Sequence, residues 1–378
     1  MTEIRSLTDS EREEAARRAD EVFRQEGQSS MKRAYPFIFS EAEASCSFGA
    51  FADDGSLVAF MGLVPWNIRI GEATVHACSL GAVFTVPEAR GQGLASRILQ
   101  HIYRYMRQAG APLLLISGDK SLYARTGCVP YGRLFRFALD RAAAESIRSR
   151  EGARWTVREA REDDLYRIHG LASRRPVRYE ISVRELGALI KSEGFASNRC
   201  QTHRILLAED RGRTAAFLIV SVSDAADRPG LAIEQAGDPQ AILALAVEAV
   251  LRDRLSSLDF PVPWHEDELI ACLRSKGIPA TEGNQSGTIR IVDGELLLEQ
   301  LRPCLGANLP DDETSRLRLI EKSVQEWSFS QGDSEAWMTA QEAAMAIFDC
   351  AIPGEASLVA VAKPFPVPLP HTVGLCYI

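Results

Sequence analysis

Apolar residues recur with two different periods along the first 150 residues. They return every three to four positions over 11–27, ending in Val22 and Phe23, and again over 94–106, which predicts two amphipathic helices. The short, continuous apolar runs 80–86 and 112–116 predict buried strands. A strand, a glycine-bearing turn, a helix and a second strand follow one another here, which predicts an α/β (α+β) fold.

Further strands and turns complete this first unit. The apolar segments 47–51 and 57–70 flank Asp53-Asp54-Gly55, which predicts a β-hairpin. A short helix over 120–126 is expected to end at Gly127 as its C-cap. The alternating segment 133–139 predicts one more strand before a charged break at 148–154.

The order of elements is repeated after the charged break. Residues 155–285 again show strands, a turn and an apolar helix, but the turn is Gly237-Asp238-Pro239-Gln240 and lacks the arginine and paired glycines of the first unit. We interpret this segment as a degenerate internal repeat that binds no cofactor. The pattern divides the chain into 1–150, 151–285 and 286–378. The final residues, from Pro364 onward, carry no charged side chain, which favours docking into a pocket.

Composition and charge narrow the class of protein. The chain has 378 residues, with 43 Lys and Arg against 51 Asp and Glu, and therefore a formal net charge of -8. An acidic chain argues against nucleic-acid binding and fits a cationic partner better. An apolar run of about 20 residues, which a membrane helix requires, is absent, and the charged N-terminal segment does not resemble a secretory signal. Eight dispersed cysteines without a C-x-x-C spacing predict a reduced, cytoplasmic protein, and six dispersed histidines predict no metal site.

The loop between the strand 80–86 and the helix at 94 carries the clearest chemical signal. It reads Pro87-Glu88-Ala89-Arg90-Gly91-Gln92-Gly93 and opens directly into the helix. Consecutive backbone N–H groups at the positive end of a helix suit a pyrophosphate, and Arg90 adds a charged donor. A tight turn with incidental glycines is the alternative. The spacing is neither that of a dinucleotide-binding fingerprint nor that of a Walker loop.

This loop resembles the acetyl-CoA motif of the GNAT superfamily of N-acetyltransferases. The family pattern is [QR]-x-x-G-x-[GA], which Arg90, Gly93 and Ala95 fill. The resemblance implies that acetyl-CoA is the co-substrate. It also implies which residues hold the pyrophosphate and which present backbone groups to the pantetheine arm. The first set is Gly91, Gln92, Gly93, Leu94, Ala95 and Ser96; the second is Val83, Phe84 and Thr85.

The resemblance also implies a catalytic tyrosine. The family often has a tyrosine near the thioester sulfur, and Tyr123 occupies that place in Ser121-Leu122-Tyr123-Ala124-Arg125-Thr126-Gly127-Cys128. A phenol there can act as general acid toward the departing thiolate. The alternative is a packing tyrosine at a helix end. Cys128 is interpreted as a packing residue, since no histidine lies near it in sequence.

The three-part organisation resembles the Eis (enhanced intracellular survival) type of acetyltransferase. That family has an active GNAT unit, a degenerate second GNAT unit and a sterol-carrier-like C-terminal domain, with a tail that returns to the active site. The resemblance implies that the terminal carboxylate of Ile378 is the general base. A terminal carboxylate ordinarily has a pKa of about 3.5 and accepts a proton poorly unless desolvated, so a purely structural tail is the alternative.

The implied reaction transfers an acetyl group from acetyl-CoA to a primary amine by direct attack on the thioester. An aminoglycoside, a polyamine or a lysine-like amine would be the acceptor, and a homo-oligomer is expected from the family. Residues 28–48 would line the acceptor pocket, where Tyr35, Phe37, Phe39, Glu41 and Glu43 suit a cation or, alternatively, are core and surface residues. A non-catalytic acyl-CoA sensor and a lipid carrier are the competing functions.

Overall fold

The computed structural model describes residues 2–40, 46–151, 154–306, 314–332, 334–349 and 365–378. The strands are β1 Glu3–Ser6, β2 Phe48–Phe51, β3 Leu57–Ile70, β4 Ala73–Thr85, β5 Leu113–Ile116, β6 Arg133–Asp140, β7 Thr156–Glu159, β8 Val177–Tyr179, β9 Thr202–Asp210, β10 Arg213–Val222, β11 Gly230–Gly237, β12 Ser257–Pro263, β13 Ala280–Asn284, β14 Thr288–Ile291, β15 Leu317–Glu321, β16 Glu326–Gln331 and β17 Ser334–Thr339. The helices are α1 Asp9–Phe23, α2 Met31–Ala34, α3 Pro36–Phe39, α4 Leu94–Ala109, α5 Ser121–Ala124, α6 Arg141–Glu151, α7 Leu165–Ala172, α8 Val183–Ser192, α9 Gly194–Ser197, α10 Pro239–Arg252, α11 Asp267–Ser275, α12 Gly294–Leu305 and α13 Ala340–Phe348.

Spatial proximity groups the chain into two units. The first consists of Met1–Gly132, Gln285–Leu369 and Ile378, and the second of Arg133–Asn284 and Pro370–Tyr377. The mixed α/β architecture that the sequence predicted is confirmed. Residues 286–378 do not separate as a third unit, and their sterol-carrier-like character stays a prediction.

The first unit is built on one mixed sheet. Its strand order is β1-β2-β3-β4-β5-β14, in which β1 to β4 run antiparallel, β5 runs parallel to β4, and β14 is antiparallel to β5. The hairpin predicted over 47–70 is present as β2 and β3. Sequence patterning did not predict that residues 288–291 complete the sheet, because the apolar pattern of a strand does not specify its neighbour.

The core of this unit lies between the sheet and α4. Leu94, Ile98, Ile102 and Met106 are buried, as the helical period predicted, whereas Tyr105 of the same predicted face is only partly buried. Helix α1 buries its alanines, but Val22 and Phe23 in its last turn are 52% and 40% exposed. The expectation that both belong to the buried face is therefore wrong.

The second unit repeats the arrangement of strands. Its sheet has the order β13-β6-β12-β11-β10-β9-β7. Strands β11 and β12 are again parallel, and the neighbours along β11, β10, β9 and β7 are antiparallel. Strand β6, which the sequence interpretation assigned to the first unit, pairs with β12 and β13. Helix α6 runs on to Glu151, so the charged break at 148–154 overlaps a helix, and Ala144 and Ile147 of α6 belong to the core of this unit.

A small antiparallel sheet, β15-β16-β17, and helix α13 complete the first unit. Residues 365–378 form neither a helix nor a strand. Most of their apolar residues are nevertheless buried, including Val367, Leu369, Val373 and Leu375. A docked rather than a frayed tail is what the absence of charge predicted.

Candidate active site

The site in the first unit begins where β4 leaves β5. The two strands pair from Ala77↔Leu113 to Leu80↔Ile116, and the main-chain nitrogen of Ser117 then donates to the oxygen of Leu80 at 3.3 Å. Strand β4 continues to Thr85, whereas β5 ends at Ile116. Among the described strands, only β3 pairs with β4 beyond this point. The backbone of 81–85 is thereby left available to a ligand that pairs like a strand.

Strand β4 is distorted at the point where it stops pairing with β5. The register with β3 shifts between Phe60 and Gly62, and Gly62 lies opposite Gly81. The next residue, Ala82, has a φ of 52°, in the left-handed region that non-glycine residues rarely adopt. Bulges of this kind re-aim the backbone and are frequent beside active sites.

The carboxyl group of Ile378 lies against this distortion. A Cβ atom at Gly81 would be 2.7 Å from the main-chain carbon of Ile378 and 2.9 Å from its oxygen, so only glycine fits there. Ile378 itself is 7% exposed. Ile378 was predicted from the sequence as a site residue but Gly81 was not, although an isolated glycine inside an apolar strand is a signal of close backbone approach.

The glycines of the loop have a conformational role. Gly91 and Gly93 have φ values of 77° and 71°, and a Cβ at either position would meet no atom within 4 Å. Glycine is favoured here because the turn requires left-handed backbone, while the space beside both residues is open. The loop can therefore accept an anion without moving a neighbouring group.

The N-terminus of α4 follows directly. Gly93 is its N-cap, no side chain caps it, and its first turn contains no acidic residue. The N–H groups of Leu94, Ala95 and Ser96 have no intrahelical acceptor at this end of the helix, and the helix dipole adds partial positive charge there. This end fits a pyrophosphate. The Leu94 side chain is part of the core, so only its backbone is available to a ligand.

Other residues predicted to contact the cofactor lie around the same loop. Phe84 is buried and stacks on Phe60 with ring centroids 5.5 Å apart, while Val83 and Thr85 are partly buried. The exposed Arg90 donates from Nε to the oxygen of Thr85 at 3.3 Å. Gln92 Nε2 donates to the oxygen of Glu88 at 3.4 Å. The side chains of Arg90 and Gln92 therefore lie beside the loop that would hold the pyrophosphate.

Tyr123 lies in the turn after β5. It is 5% exposed, and a Cβ at Gly118 would be 3.3 Å from its ring carbon Cε2. Burial, with a smaller contribution from Cys128, raises the pKa of its phenol to about 12. The phenol is therefore protonated at neutral pH, which is the form that a general acid requires.

Cys128 closes the same turn. It is buried, and burial raises the pKa of its thiol above the ordinary value. Its main-chain nitrogen donates to the oxygen of Tyr123 at 3.0 Å across Gly127, whose φ is 78°. Helix α5 ends at Ala124 with Arg125 as its C-cap, so the predicted C-cap position is wrong and Gly127 lies in the turn beyond the helix. A protonated, buried thiol agrees with a packing role.

The corresponding turn of the second unit has different chemistry. The side chain of Asp238 caps α10 by accepting from the nitrogens of Gln240 and Ala241 at 2.8 and 3.0 Å. Pro239, at the first turn, has no N–H to give. A carboxylate thus occupies the end of α10 at which an anion would bind.

The aromatic residues predicted to line an acceptor pocket are packing residues in this structure. Tyr35, Phe37 and Phe39 are buried, and Phe39 stacks on Phe60 at 5.6 Å. Glu41 and Glu43 lie outside the described residues. Over the ranges that the structure describes, no cluster of three possible metal ligands occurs, and no helix is long and apolar enough to cross a membrane.

Comparisons with known proteins agree with this geometry. Residues 3–130 match the family model described as an acetyltransferase (GNAT) domain. A search of curated protein sequences found no match. Among solved structures, a GCN5-related N-acetyltransferase from Anabaena variabilis has a TM-score of 0.64 at 12% identity, with coverage of 98% of this chain and 99% of that one.

Two further structures share the fold. Eis1 from Mycobacterium abscessus has a TM-score of 0.63 at 11% identity, with coverage of 98% of this chain and 100% of that one. A GCN5-related N-acetyltransferase from Kribbella flavida has a TM-score of 0.58 at 15% identity, with coverage of 89% and 84%. Residues 3–130 thus match a GNAT acetyltransferase domain, and GNAT acetyltransferases use acetyl-CoA or another acyl-CoA as co-substrate.

Proposed function

We propose that this protein is an acetyl-CoA-dependent N-acetyltransferase that acetylates a primary amine of a cationic acceptor. Two features of the first unit together carry the proposal. Strand β4 stops pairing with β5 after Leu80, and helix α4 begins at Gly93 without a side-chain cap. The edge suits the amide-bearing pantetheine arm, and the helix end suits the pyrophosphate. Residues 83–85 and 90–96 would hold acetyl-CoA between them.

Tyr123 is the proposed general acid. Attack on the thioester gives a tetrahedral intermediate, whose collapse forms the amide and expels the CoA thiolate. The Tyr123 phenol transfers its proton to that sulfur, and the proton lost from the attacking nitrogen restores the phenol through solvent. Its raised pKa supports the role, because the phenol keeps its proton at the pH of the reaction. Its ring packs on Gly118, two residues beyond the last β5 residue that pairs with β4.

The terminal carboxylate of Ile378 is the proposed general base. It lies against Gly81, the first residue of β4 beyond the pairing with β5, and Ile378 is buried. The acceptor amine arrives as an ammonium ion and must lose a proton before it attacks. A carboxylate at this point can take that proton, directly or through a water molecule.

The second unit is proposed to bind no CoA, since Asp238 and Pro239 remove the free donors from the start of α10. The Eis-type assignment, a sterol-carrier-like 286–378, a homo-oligomer and a cytoplasmic location belong to the same proposal. The three-part sequence organisation supports the Eis-type assignment, and the similarity to Eis1 supports the fold. The oligomeric state rests on the family resemblance, and the location rests on the dispersed cysteines. An aminoglycoside, a polyamine and a lysine side chain are the acceptor classes to test.

The testing experiment measures thiol release from acetyl-CoA with a panel of these amines, and identifies the acetylated product by mass spectrometry. Release that requires the amine, with one acetyl group added per thiol, is expected. A non-catalytic acyl-CoA sensor, the competing function, would bind CoA but release no thiol with any amine. Lipid that co-purifies with the protein would instead favour a carrier role.

A further inference from the structure

The main-chain oxygen of Tyr123, the proposed acid, accepts several hydrogen bonds within its own turn. It accepts from the main-chain nitrogens of Thr126 and Cys128 at 2.9 and 3.0 Å. It also accepts from the Thr126 hydroxyl at 2.9 Å. A carbonyl at a helix end ordinarily accepts one or two hydrogen bonds, whereas this one accepts three. The three bonds restrict the motion of the Tyr123 backbone, to which the phenol is attached.

The Thr126 hydroxyl is in turn held by helix α4. The Tyr103 phenol donates to Thr126 Oγ1 at 3.0 Å and lies 3.5 Å from Cys128 Sγ. The hydrogen bonds therefore run in one direction, from Tyr103 to Thr126 to the carbonyl of Tyr123. Successive hydrogen bonds in such a chain polarise and strengthen one another, which holds the three groups in a single arrangement.

Arg290, on β14, packs against the turn that contains Gly127. Its guanidinium carbon lies 5.7 Å from the Tyr103 ring centroid and 5.6 Å from that of Trp327, and the side chain is buried. A Cβ at Gly127 would be 2.9 Å from its Nη1. Glu321 forms an ion pair with Arg290 and fixes the guanidinium in this place.

We propose that Tyr103, Thr126 and Arg290 are positioning residues that direct the phenol of Tyr123 toward the thioester sulfur. The inference rests on the proposed function, because it assumes that Tyr123 is the general acid. Strands β14 and β15 contribute to this positioning, since they supply Arg290 and Glu321, the cation and the carboxylate that hold the turn. The three positioning residues act through Tyr123.

The test is a double-mutant cycle with Tyr123→Phe. Thr126→Val and Tyr103→Phe each remove one hydroxyl, and each is expected to lower kcat about tenfold while the KM for acetyl-CoA changes by less than about twofold. Combined with Tyr123→Phe, either change should lower kcat by less than about twofold further, because the group being positioned is already gone. Equal losses with and without the Tyr123 hydroxyl would overturn the proposal.

Two control variants distinguish a positioning role from a nonspecific effect of the substitutions on the fold. Thr126→Ser keeps the hydroxyl and should restore kcat. Tyr105→Phe is a matched change on the same helix, because the Tyr105 hydroxyl also makes a hydrogen bond, to Cys46 Sγ at 2.8 Å, but outside the turn. It should leave kcat unchanged. A loss of kcat with Tyr105→Phe as large as with Tyr103→Phe would overturn the proposal.

A measurement without turnover tests the bracing itself. Amide hydrogen exchange over 121–129 should be faster in Thr126→Val and Arg290→Lys than in the parent protein, and unchanged in Tyr105→Phe. Unchanged exchange in all three variants would contradict the proposal even if no amine acceptor were found. Absence of acetyl transfer by the parent protein would count against the proposed function, whereas transfer without coupling to Tyr123 would count against the positioning role alone.

Discussion

Gly81 and the carboxyl group of Ile378 are packed so closely that a single methyl group does not fit between them. The Cβ of an alanine at position 81 would lie 2.7 Å from the carboxyl carbon of Ile378. Because Gly81 is also the residue at which β4 leaves β5, the end of the tail lies where the strand edge becomes available to acetyl-CoA. The proposed base and the proposed acyl site are thus linked by one backbone contact.

Gly81→Ala should displace the terminal carboxylate and lower kcat about 10- to 100-fold, since a shift of about 1 Å in a reacting group has effects of this size. CoA affinity should change little, because the loop 90–96 is untouched. Steady-state kinetics and equilibrium CoA binding measure the two quantities. In a variant that lacks Ile378, adding Gly81→Ala should cause little further loss of kcat.

Gly283→Ala is the matched control, because Gly283 also lies in a strand and its added methyl would meet no atom within 4 Å. It should leave kcat unchanged. If Gly81→Ala were as active as Gly283→Ala, or if removal of Ile378 had no effect on kcat, the carboxylate would not be the base.

Tyr123→Phe should lower kcat by about 100-fold or more, the contribution typical of general acid catalysis. The KM for acetyl-CoA should stay within about twofold, because the phenol acts only as the thiolate departs. Steady-state kinetics at saturating amine measures both parameters. A fall in affinity with unchanged kcat would instead identify Tyr123 as a residue that only shapes the binding site.

The raised pKa of Tyr123 predicts the form of the pH profile. A general acid loses activity as the pH rises through its pKa, and burial raises this pKa to about 12. Between pH 7 and 10, kcat should therefore show no fall that depends on the Tyr123 hydroxyl. Profiles of the parent protein and of Tyr123→Phe should run parallel over this range. A basic limb near pH 9 that disappears in Tyr123→Phe would contradict the assigned environment.

Equilibrium binding should give one CoA per chain. Gly93→Ala should weaken this binding about tenfold, because an alanine held in the left-handed region costs about 1–2 kcal/mol. Gly277→Ala is the control, since Gly277 has the same φ and equally open surroundings in the second unit. It should not change CoA affinity. Two CoA molecules per chain would show that the capped end of α10 does not exclude the cofactor.

Local features of the fold could be predicted from the sequence. The apolar period located α4, and the Asp-Asp-Gly turn located the β2–β3 hairpin. Each of these depends on residues close together in the chain. The motif around Gly93 was recognisable for the same reason, since a loop and a helix start are contiguous.

Long-range relations could not be predicted in this way. The pairing of 288–291 with β5 and of 133–140 with β12 joins segments whose patterns would suit several neighbours. Arg290 looked like an ordinary strand residue, and its place between Tyr103 and Trp327 depends on that pairing. The contact between Gly81 and Ile378 joins residues that are far apart in the chain, although the lone glycine in an apolar strand was a usable signal.

The central claim is acetyl transfer from acetyl-CoA to an amine. Its most direct measurement is simultaneous detection of free thiol and of the acetylated amine, for a panel of aminoglycosides, polyamines and lysine peptides. The predicted result is equimolar thiol and N-acetylated product with at least one cationic amine, and strong loss of both in Tyr123→Phe. CoA bound at one per chain, with no acetylated product from any amine, would contradict it.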